Sequence, residues 1–392
     1  MKTRRIGILT GGGDVPGLNS VIKSVVYRSR EAGWEVVGIR KGWEGLTHGR
    51  PGADDDEYAR RLTRENTRTI DRTGGTVLHT SRLDPQRVRE DRLPRHLLGA
   101  AGEVGELERY RREDGRFDLV PIVLENLGKL GIDCLIVIGG DGTLGATSRL
   151  AREGVPLIAI PKTMDNDVAG TEYCLGFSTA ITRAKDLVTR QRTTLGSHER
   201  IGVFRIFGRD SGFTALHTGY VTSGRCVIPE HAFDIGRLAQ LMLSDKENNP
   251  SRYAFVIAAE GATWEGRDES REVARDADGR RHRLDIGEAL AAELKRRTGQ
   301  DTMHSDLTYD LRSGNPDALD QTVATTFANV ALDLIGDGIT GRMVAVRDGR
   351  YSHVDLPERE HGSRQVNVPA LYDVERYRPR YAGKLGTPLL LS

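Results

Sequence analysis

The sequence predicts an α/β protein of two doubly wound lobes with mostly parallel sheets. Three observations carry that prediction. Short apolar runs alternate with segments whose apolar residues recur at helical spacing, and the runs end in glycine-rich or polar turns. The chain has 392 residues, which at roughly 150 per domain means two domains or one two-lobed unit. Such alternation gives parallel strands with crossover helices on the sheet faces.

Taken in order, Ile6, Ile8 and Leu9 make a first strand. Leu18, Val21, Ile22, Val25 and Val26 then recur at i, i+3, i+4, i+7 and i+8, a helical stripe. Residues 35–39 read as a second strand and complete a β-α-β unit. Helix 119–130, strand 134–138, helix 143–151 and strand 156–160 repeat the plan. Helix 179–193, strand 201–207, a helix from Gly212, strand 252–258 and helices 286–297 and 319–335 follow. Two stretches break the alternation, 85–115 and 264–284, where arginines interleave with acids. They read as surface insertions with solvated charged faces. No repeat of 20 to 50 residues is evident.

Composition removes several function classes. The 57 Lys+Arg against 56 Asp+Glu leave a net charge of +1, so no large single-sign field points to nucleic acid or an anionic membrane. No run of 18 apolar residues offers a membrane span, and the basic start, Met1 to Arg5, leads into an apolar stretch too short for a signal-peptide core. The three cysteines form no C-x-x-C pair and sit among apolar residues, which points to a reducing compartment. A cytoplasmic protein is expected. The ten histidines form neither H-E-x-x-H nor a zinc-type cluster. Glycine is high, 46 residues or about 12% against a typical ~7%, and aperiodic, so tight loops rather than a fibre account for it.

In open parallel sheets the ligand sits beyond the carboxyl ends of the strands. After the first strand comes Thr10-Gly11-Gly12-Gly13-Asp14-Val15-Pro16-Gly17-Leu18-Asn19, either a tight turn or a loop whose amides and helix N-terminus meet an anion. It is neither G-x-G-x-x-G nor a Walker loop. After strand 134–138 comes Gly139-Gly140-Asp141-Gly142-Thr143. A carboxylate there either holds Mg²⁺ while the amides hold phosphate oxygens, or caps the next helix. This motif also occurs in NAD kinases and diacylglycerol-type lipid kinases, so alone it indicates only nucleotide phosphoryl chemistry. After the next strand, Pro161-Lys162-Thr163-Met164-Asp165-Asn166-Asp167 gathers carboxylates, an amide, a hydroxyl and an ammonium. One carboxylate can accept a proton from an attacking hydroxyl, and the lysine can offset charge on a transferring phosphoryl group.

From residue 4 to about residue 350 the chain resembles the 6-phosphofructokinase family, ATP- and pyrophosphate-dependent members together. Besides these three loops the resemblance includes Gly74-Gly75-Thr76 with Ser81-Arg82, Ser197-His198-Glu199-Arg200, Phe207-Gly208-Arg209 with Ser211-Gly212, and Ala259-Glu260-Gly261. It implies two phosphofructokinase-like lobes: 1–175 with about 310–360 for the donor, and 176–309 with the C-terminal segment for the sugar phosphate. It places Gly13, Arg82 with Leu83, and Gly140, Asp141, Gly142 and Thr143 at the donor, with Asp141 on Mg²⁺ and Trp43 where an aromatic often meets adenine. Thr163, Met164 and Asp165 would face fructose 6-phosphate, with Asp165 the base for its 1-hydroxyl and Lys162 offsetting charge. Phe207, Gly208 and Arg209 would line the sugar site, and Glu260 would bond sugar hydroxyls. Arg200 resembles an arginine that reaches the 6-phosphate in a neighbouring subunit, which implies a homodimer or homotetramer with shared sites. The implied reaction is the glycolytic step that forms fructose 1,6-bisphosphate.

Two departures matter. Bacterial ATP-dependent relatives usually carry an Arg six residues before a His-x-x-Arg, whereas this chain has Met303 and then Tyr309 and Arg312, similar to the plant and trypanosomal version. Tyr309 and Arg312 carry over to the sugar phosphate, and Met303 does not. For the donor, pyrophosphate users carry Asp at Gly142, where it would fill and charge the space of an ATP α-phosphate. Lys162 is the residue pyrophosphate users carry, though ATP users with the same pair occur. ATP is the expected donor, with pyrophosphate the alternative. An inert regulatory subunit is disfavoured because Asp141 and Asp165 are both kept, and a Rossmann dehydrogenase because the dinucleotide fingerprint is absent.

Overall fold

The computed structural model describes residues 4–53, 57–99, 103–267, 273–275, 281–283, 286–358 and 362–381. Its first elements are β1 (Arg5–Thr10), α1 (Leu18–Glu31), β2 (Glu35–Ile39), α2 (Trp43–His48) and β3 (Ala59–Leu62). After short 3-10 turns come α3 (Val120–Leu130), β4 (Cys134–Gly139), α4 (Asp141–Arg152) and β5 (Leu157–Pro161). Next are α5 (Phe177–Ser197), β6 (Ile201–Ile206), α6 (Phe213–Thr222), β7 (Arg225–Val227), α7 (Ile235–Asn248) and β8 (Ala254–Ala259). A hairpin of β9 (Val273–Arg275) and β10 (Arg281–Arg283) precedes α8 (Ile286–Thr298), β11 (Thr302–Leu307) and α9 (Tyr309–Arg312). Beyond these lie α10 (Ala318–Gly336), β12 (Arg342–Arg347), β13 (Arg350–Asp355) and α11 (Val368–Leu371).

Two compact units share these elements. The first comprises Met1–Thr163, Val168–Gly176 and Ser313–Gly362. Its seven-stranded sheet runs β13-β12-β5-β4-β1-β2-β3, parallel except for the two antiparallel edges, β13 on β12 and β3 on β2. β1 pairs β2 on one side and β4 on the other, so the strand order reverses there and a ligand crevice opens beyond the carboxyl ends of β1 and β4. Local sequence explains the framing helices. The apolar stripe of α1 is buried, and α1 starts from Gly17 at φ 105, a conformation that suits glycine. α3 has Pro121 in its first turn and stops at Gly131 in the left-handed region.

The second unit comprises Met164–Asp167, Phe177–Arg312 and Ser363–Ser392. Its sheet is all parallel, in the order β11-β6-β8-β7, with β6 between β8 and β11 at the reversal. Val203, Phe204, Val256 and Ile257 of the sheet are buried with Leu216, Leu238, Leu290 and Leu294 of the helices. α7 starts at Asp234, whose carboxylate accepts from the amides of Gly236 at 2.6 Å and Arg237 at 3.0 Å.

The α/β class with mostly parallel sheets stands as expected. The charged residues of 85–115 are mostly exposed, as expected of a surface insertion, but the stretch also has a core of its own. Among its described residues Val88, Leu93 and Leu107 are buried with Phe117, Leu119 and Ile122 as a small separate core. Arg111 pairs with Glu90 and Glu108 around it, so sparse apolar residues inside a charged stretch suffice to fold it. Most of 264–284 lies outside the described residues; at its start, Trp264 packs edge-on against Phe233 at 6.1 Å. Among the described residues no helix is long and apolar enough to cross a membrane.

Cys134, Cys174 and Cys226 are all buried and unbridged. Burial pushes the Cys134 thiol up to about 12 and that of Cys226 also upward. A disulfide reagent at pH 8 should therefore label none of the three in the native protein and all three after denaturation. Rapid labelling of the native chain would contradict their placement.

Candidate active site

In the first unit the glycine loops after β1 and β4 are cross-braced. The amide of Gly11 donates to Ile138 O at 2.9 Å and that of Gly12 to Ser81 O at 2.9 Å, while Thr80 Oγ1 donates to Gly12 O at 2.6 Å. Two of the loop's amides are thus engaged within the protein. Thr143 explains two glycines on packing grounds. A Cβ on Gly11 would lie 2.6 Å from its Oγ1, and one on Gly139 would lie 2.4 Å from its Cβ. Thr143 is itself buried, so it is a spacer between the loops rather than an open ligand contact.

Lys162 is 3% exposed, and its Nζ donates to Gly13 O at 2.5 Å. A Cβ on Gly12 would lie 3.4 Å from that ammonium, which places a buried positive charge beneath the first loop. Gly140 caps α4 at φ −94, ψ −172, with no side-chain cap bond, and Asp141 is the first residue of the helix proper. Asp141 therefore does not act as the cap. Asp141 and Gly142 are both exposed at the helix N-terminus, where amides and dipole favour an anion.

Trp43 is corrected. It is 1% exposed within the core, and its Nε1 donates to Thr143 O at 3.2 Å. α2 presses the indole onto the sheet, which leaves no open ring face for a base. Arg82 is exposed, whereas Leu83 is half-buried against the cores.

The polar segment after β5 crosses from the first unit to the second between Thr163 and Met164. The lobe bounds that the resemblance implies put Met164–Asp167 in the first lobe, whereas in the structure this segment belongs to the second unit. Thr214 Oγ1 donates to Met164 O at 3.2 Å, and Arg364 Nη2 donates to Asn166 O at 2.8 Å. Met164 is buried, 5% exposed, so it offers the site its backbone rather than its side chain. Asp165 is half-buried in the turn.

The second unit gathers its candidates at the carboxyl ends of β6, β8 and β11. Phe207 meets Tyr309 edge-on at 5.6 Å, and Arg312 stacks over the Tyr309 ring at 4.7 Å. Gly208 and Gly261 permit close backbone approach: added Cβ atoms would lie 2.6 Å from Ser211 O and 1.8 Å from Arg209 O. Arg209 is exposed at φ 42. Glu260 is 3.6 Å from Arg205, which is 3.6 Å from Asp306, itself 3.0 Å from His304 Nε2. Arg205 was not anticipated; a cation at the penultimate position of an apolar strand was the available signal. Arg200 is the exception. It precedes β6 while Phe207 follows it, and seven steps at ~3.3 Å put about 23 Å between them.

Among the described residues no group of three or more His, Cys, Asp or Glu is placed to hold a metal. A single exposed carboxylate such as Asp141 fits Mg²⁺ only where phosphate oxygens of a substrate complete its shell, which is how Mg²⁺ is commonly held.

Buried Asp320, 0% exposed in α10, was also missed. It accepts from Tyr173 OH and from the amide of Gly176, both at 2.8 Å, and so fixes the segment that follows the site. Asp320→Ala should cost about 3 kcal/mol, because two donors lose their acceptor. The check is the urea midpoint; an unchanged midpoint would contradict that bonding.

The family model described as Phosphofructokinase matches residues 5–335. A pyrophosphate–fructose 6-phosphate 1-phosphotransferase of Amycolatopsis methanolica is 37% identical over 90% of this chain and 94% of its own length. An ATP-dependent 6-phosphofructokinase of Streptomyces coelicolor is 36% identical over the same two shares. Among solved structures, a pyrophosphate-dependent phosphofructokinase from Marinobacter aquaeolei superposes with a TM-score of 0.72 at 17% identity, covering 96% of this chain and 89% of that one.

Proposed function

The chain belongs to the phosphofructokinase family, and from that premise we propose that it transfers a phosphoryl group from ATP to the 1-hydroxyl of fructose 6-phosphate, giving fructose 1,6-bisphosphate in glycolysis. The observation that carries the donor choice is Gly142. It is exposed beside Asp141 in the first turn of a helix whose N-terminus has no side-chain cap. A glycine there leaves the volume and the potential that an α-phosphate requires. Lys162 does not weigh against this reading, because its bond to Gly13 O braces the loop for either donor.

On this reading the first unit binds the donor and the second binds the sugar phosphate. Gly13 and the N-terminus of α4 at Gly140, Asp141 and Gly142 take phosphate oxygens, and Arg82 and Lys162 supply positive charge. Mg²⁺, held by Asp141 with those oxygens, would neutralise charge on the transferring group. Asp165 accepts the proton of the 1-hydroxyl as it attacks, and Thr163 faces the same hydroxyl. Phe207, Gly208, Arg209 and Glu260 orient the sugar, while Tyr309 and Arg312 hold its phosphate. Alignment of donor and acceptor oxygens accounts for much of the rate in such reactions.

The position of Arg200 supports a shared site. Being a strand length from Phe207, it cannot serve the same sugar, which suits a residue that reaches a partner's substrate in a homodimer or homotetramer. Met303 pairs with Gly202 at that same end of the sheet, so the departure from the bacterial pattern lies on the face assigned to the partner's phosphate. Buried, unbridged thiols and a phosphorylated substrate support the reading of a cytoplasmic reaction. Phosphorus NMR of the product tests the acceptor: a second phosphoester at carbon 1 is expected, and a phosphoester elsewhere would overturn the reading.

A further inference from the structure

The C-terminal segment at residues 364–366 ties together loops of the second unit that are far apart in sequence. The Arg364 amide donates to Asp167 O at 2.6 Å, and its guanidinium donates twice to Asn166 O, from Nε at 3.2 Å and Nη2 at 2.8 Å. The same guanidinium lies over the Phe213 ring of α6, 4.1 Å from the centroid. Gln365 Nε2 donates to Asp210 O at 2.9 Å, one residue beyond Arg209. The Val366 amide donates to Glu230 Oε1 at 2.9 Å, and that oxygen also accepts from the amide of Gly212 at 2.9 Å. Three consecutive residues therefore bond the turn that carries Asp165, the loop after β6, and the carboxylate that anchors the start of α6.

Such bracing has a physical purpose at this turn. Asn166 has φ 55, in the left-handed region that a non-glycine residue adopts only when its surroundings hold it there. Both carbonyls that follow Asp165 point at Arg364. A planar fork on one carbonyl, with the adjacent backbone amide on the next, fixes the peptide planes on either side of Asp167; holding the Asn166 carbonyl pins the strained residue that directly follows Asp165 and so steadies the turn that presents that carboxylate.

We propose that Arg364 is a positioning residue for Asp165, and that residues 364–366 are a strap coupling the aim of that carboxylate to the sugar-lining loop. This rests on Asp165 being the base. In this scheme Arg364 acts through the turn. Its loss should lower kcat while sparing substrate affinity.

The test is a double-mutant cycle of wild type, Arg364→Ala, Asp165→Ala and the double variant, with kcat and the KM for each substrate measured in every member. Arg364→Ala should lower kcat roughly 10- to 100-fold, the scale of a misplaced catalytic group, with each KM within about threefold of wild type. In the Asp165→Ala background it should change the residual rate by less than about twofold, a non-additivity that general loosening of the fold would not produce. Arg364→Lys keeps a cation over Phe213 and the backbone bond but loses the fork, so it covers the case of an unstable alanine variant; its kcat should fall at least about fivefold with an unchanged melting point. An Arg364→Ala or Arg364→Lys enzyme with wild-type kcat would overturn the strap, as would an equal loss in both backgrounds. If Asp165→Ala keeps turnover, the base assignment fails and the strap with it; if Asp165→Ala is inactive and Arg364→Ala is not, the strap alone fails.

Discussion

Asp165→Ala should lower kcat by roughly 10²- to 10⁴-fold, the usual contribution of a positioned general base, with the KM for MgATP little changed. Two carboxylates lie in the polar segment after β5, and the structure separates their circumstances. Asp167 is 9% exposed, and Arg364 donates its amide to the Asp167 carbonyl. Asp165 is half-buried in the turn. Of the two, Asp165 is the more exposed side chain. On the proposed roles donor affinity should survive, because Gly13, Arg82 and the N-terminus of α4 belong to the first unit, and Asp165 belongs to the second. Steady-state kinetics with both substrates varied check this. A variant with near-normal kcat would remove Asp165 from the mechanism, and a variant that loses ATP affinity in proportion would mean the residue binds rather than activates.

Gly142→Asp should reduce kcat/KM for ATP at least about 100-fold without harming the fold. An acid in the first turn of a helix is favourable by roughly 0.3–1 kcal/mol through the helix dipole, so α4 should be no less stable than before. What changes is the space and the charge in front of the helix. A second carboxylate beside exposed Asp141 occupies the volume of an α-phosphate and repels it. Smaller pyrophosphate does not need that volume, so this donor should become relatively better. Retained ATP turnover in a correctly folded variant would refute the steric argument.

Much of the fold was legible because its signals are local. The runs around Ile6 and Leu135 become β1 and β4, and the stripe from Leu18 to Val26 becomes the buried face of α1. The antiparallel edge β3, with Arg60 and Arg61 inside it, and β11, whose residues are mostly half-buried, lack the continuous apolar character that marks a central strand. The placement of the candidate residues was legible where polar or aromatic residues follow a strand end, as at Asp141, Asp165, Phe207 and Glu260. It was illegible where burial decides the role. Nothing in the sequence tells a Trp43 pressed into the core from one that meets a ligand, or a Thr143 that spaces two glycine loops from one that binds phosphate. Arg364 lies 198 residues from Asn166, and no local pattern announces a contact at that separation.

The central claim is that this chain phosphorylates fructose 6-phosphate from ATP. Its most direct test is the initial rate of fructose 1,6-bisphosphate formation by the purified wild-type protein with Mg²⁺, measured in parallel with ATP and with pyrophosphate. Turnover with ATP is expected, with a rate with pyrophosphate at least about 100-fold lower. Turnover with pyrophosphate and none with ATP would contradict it, and would make Lys162 rather than Gly142 the residue that reports the donor.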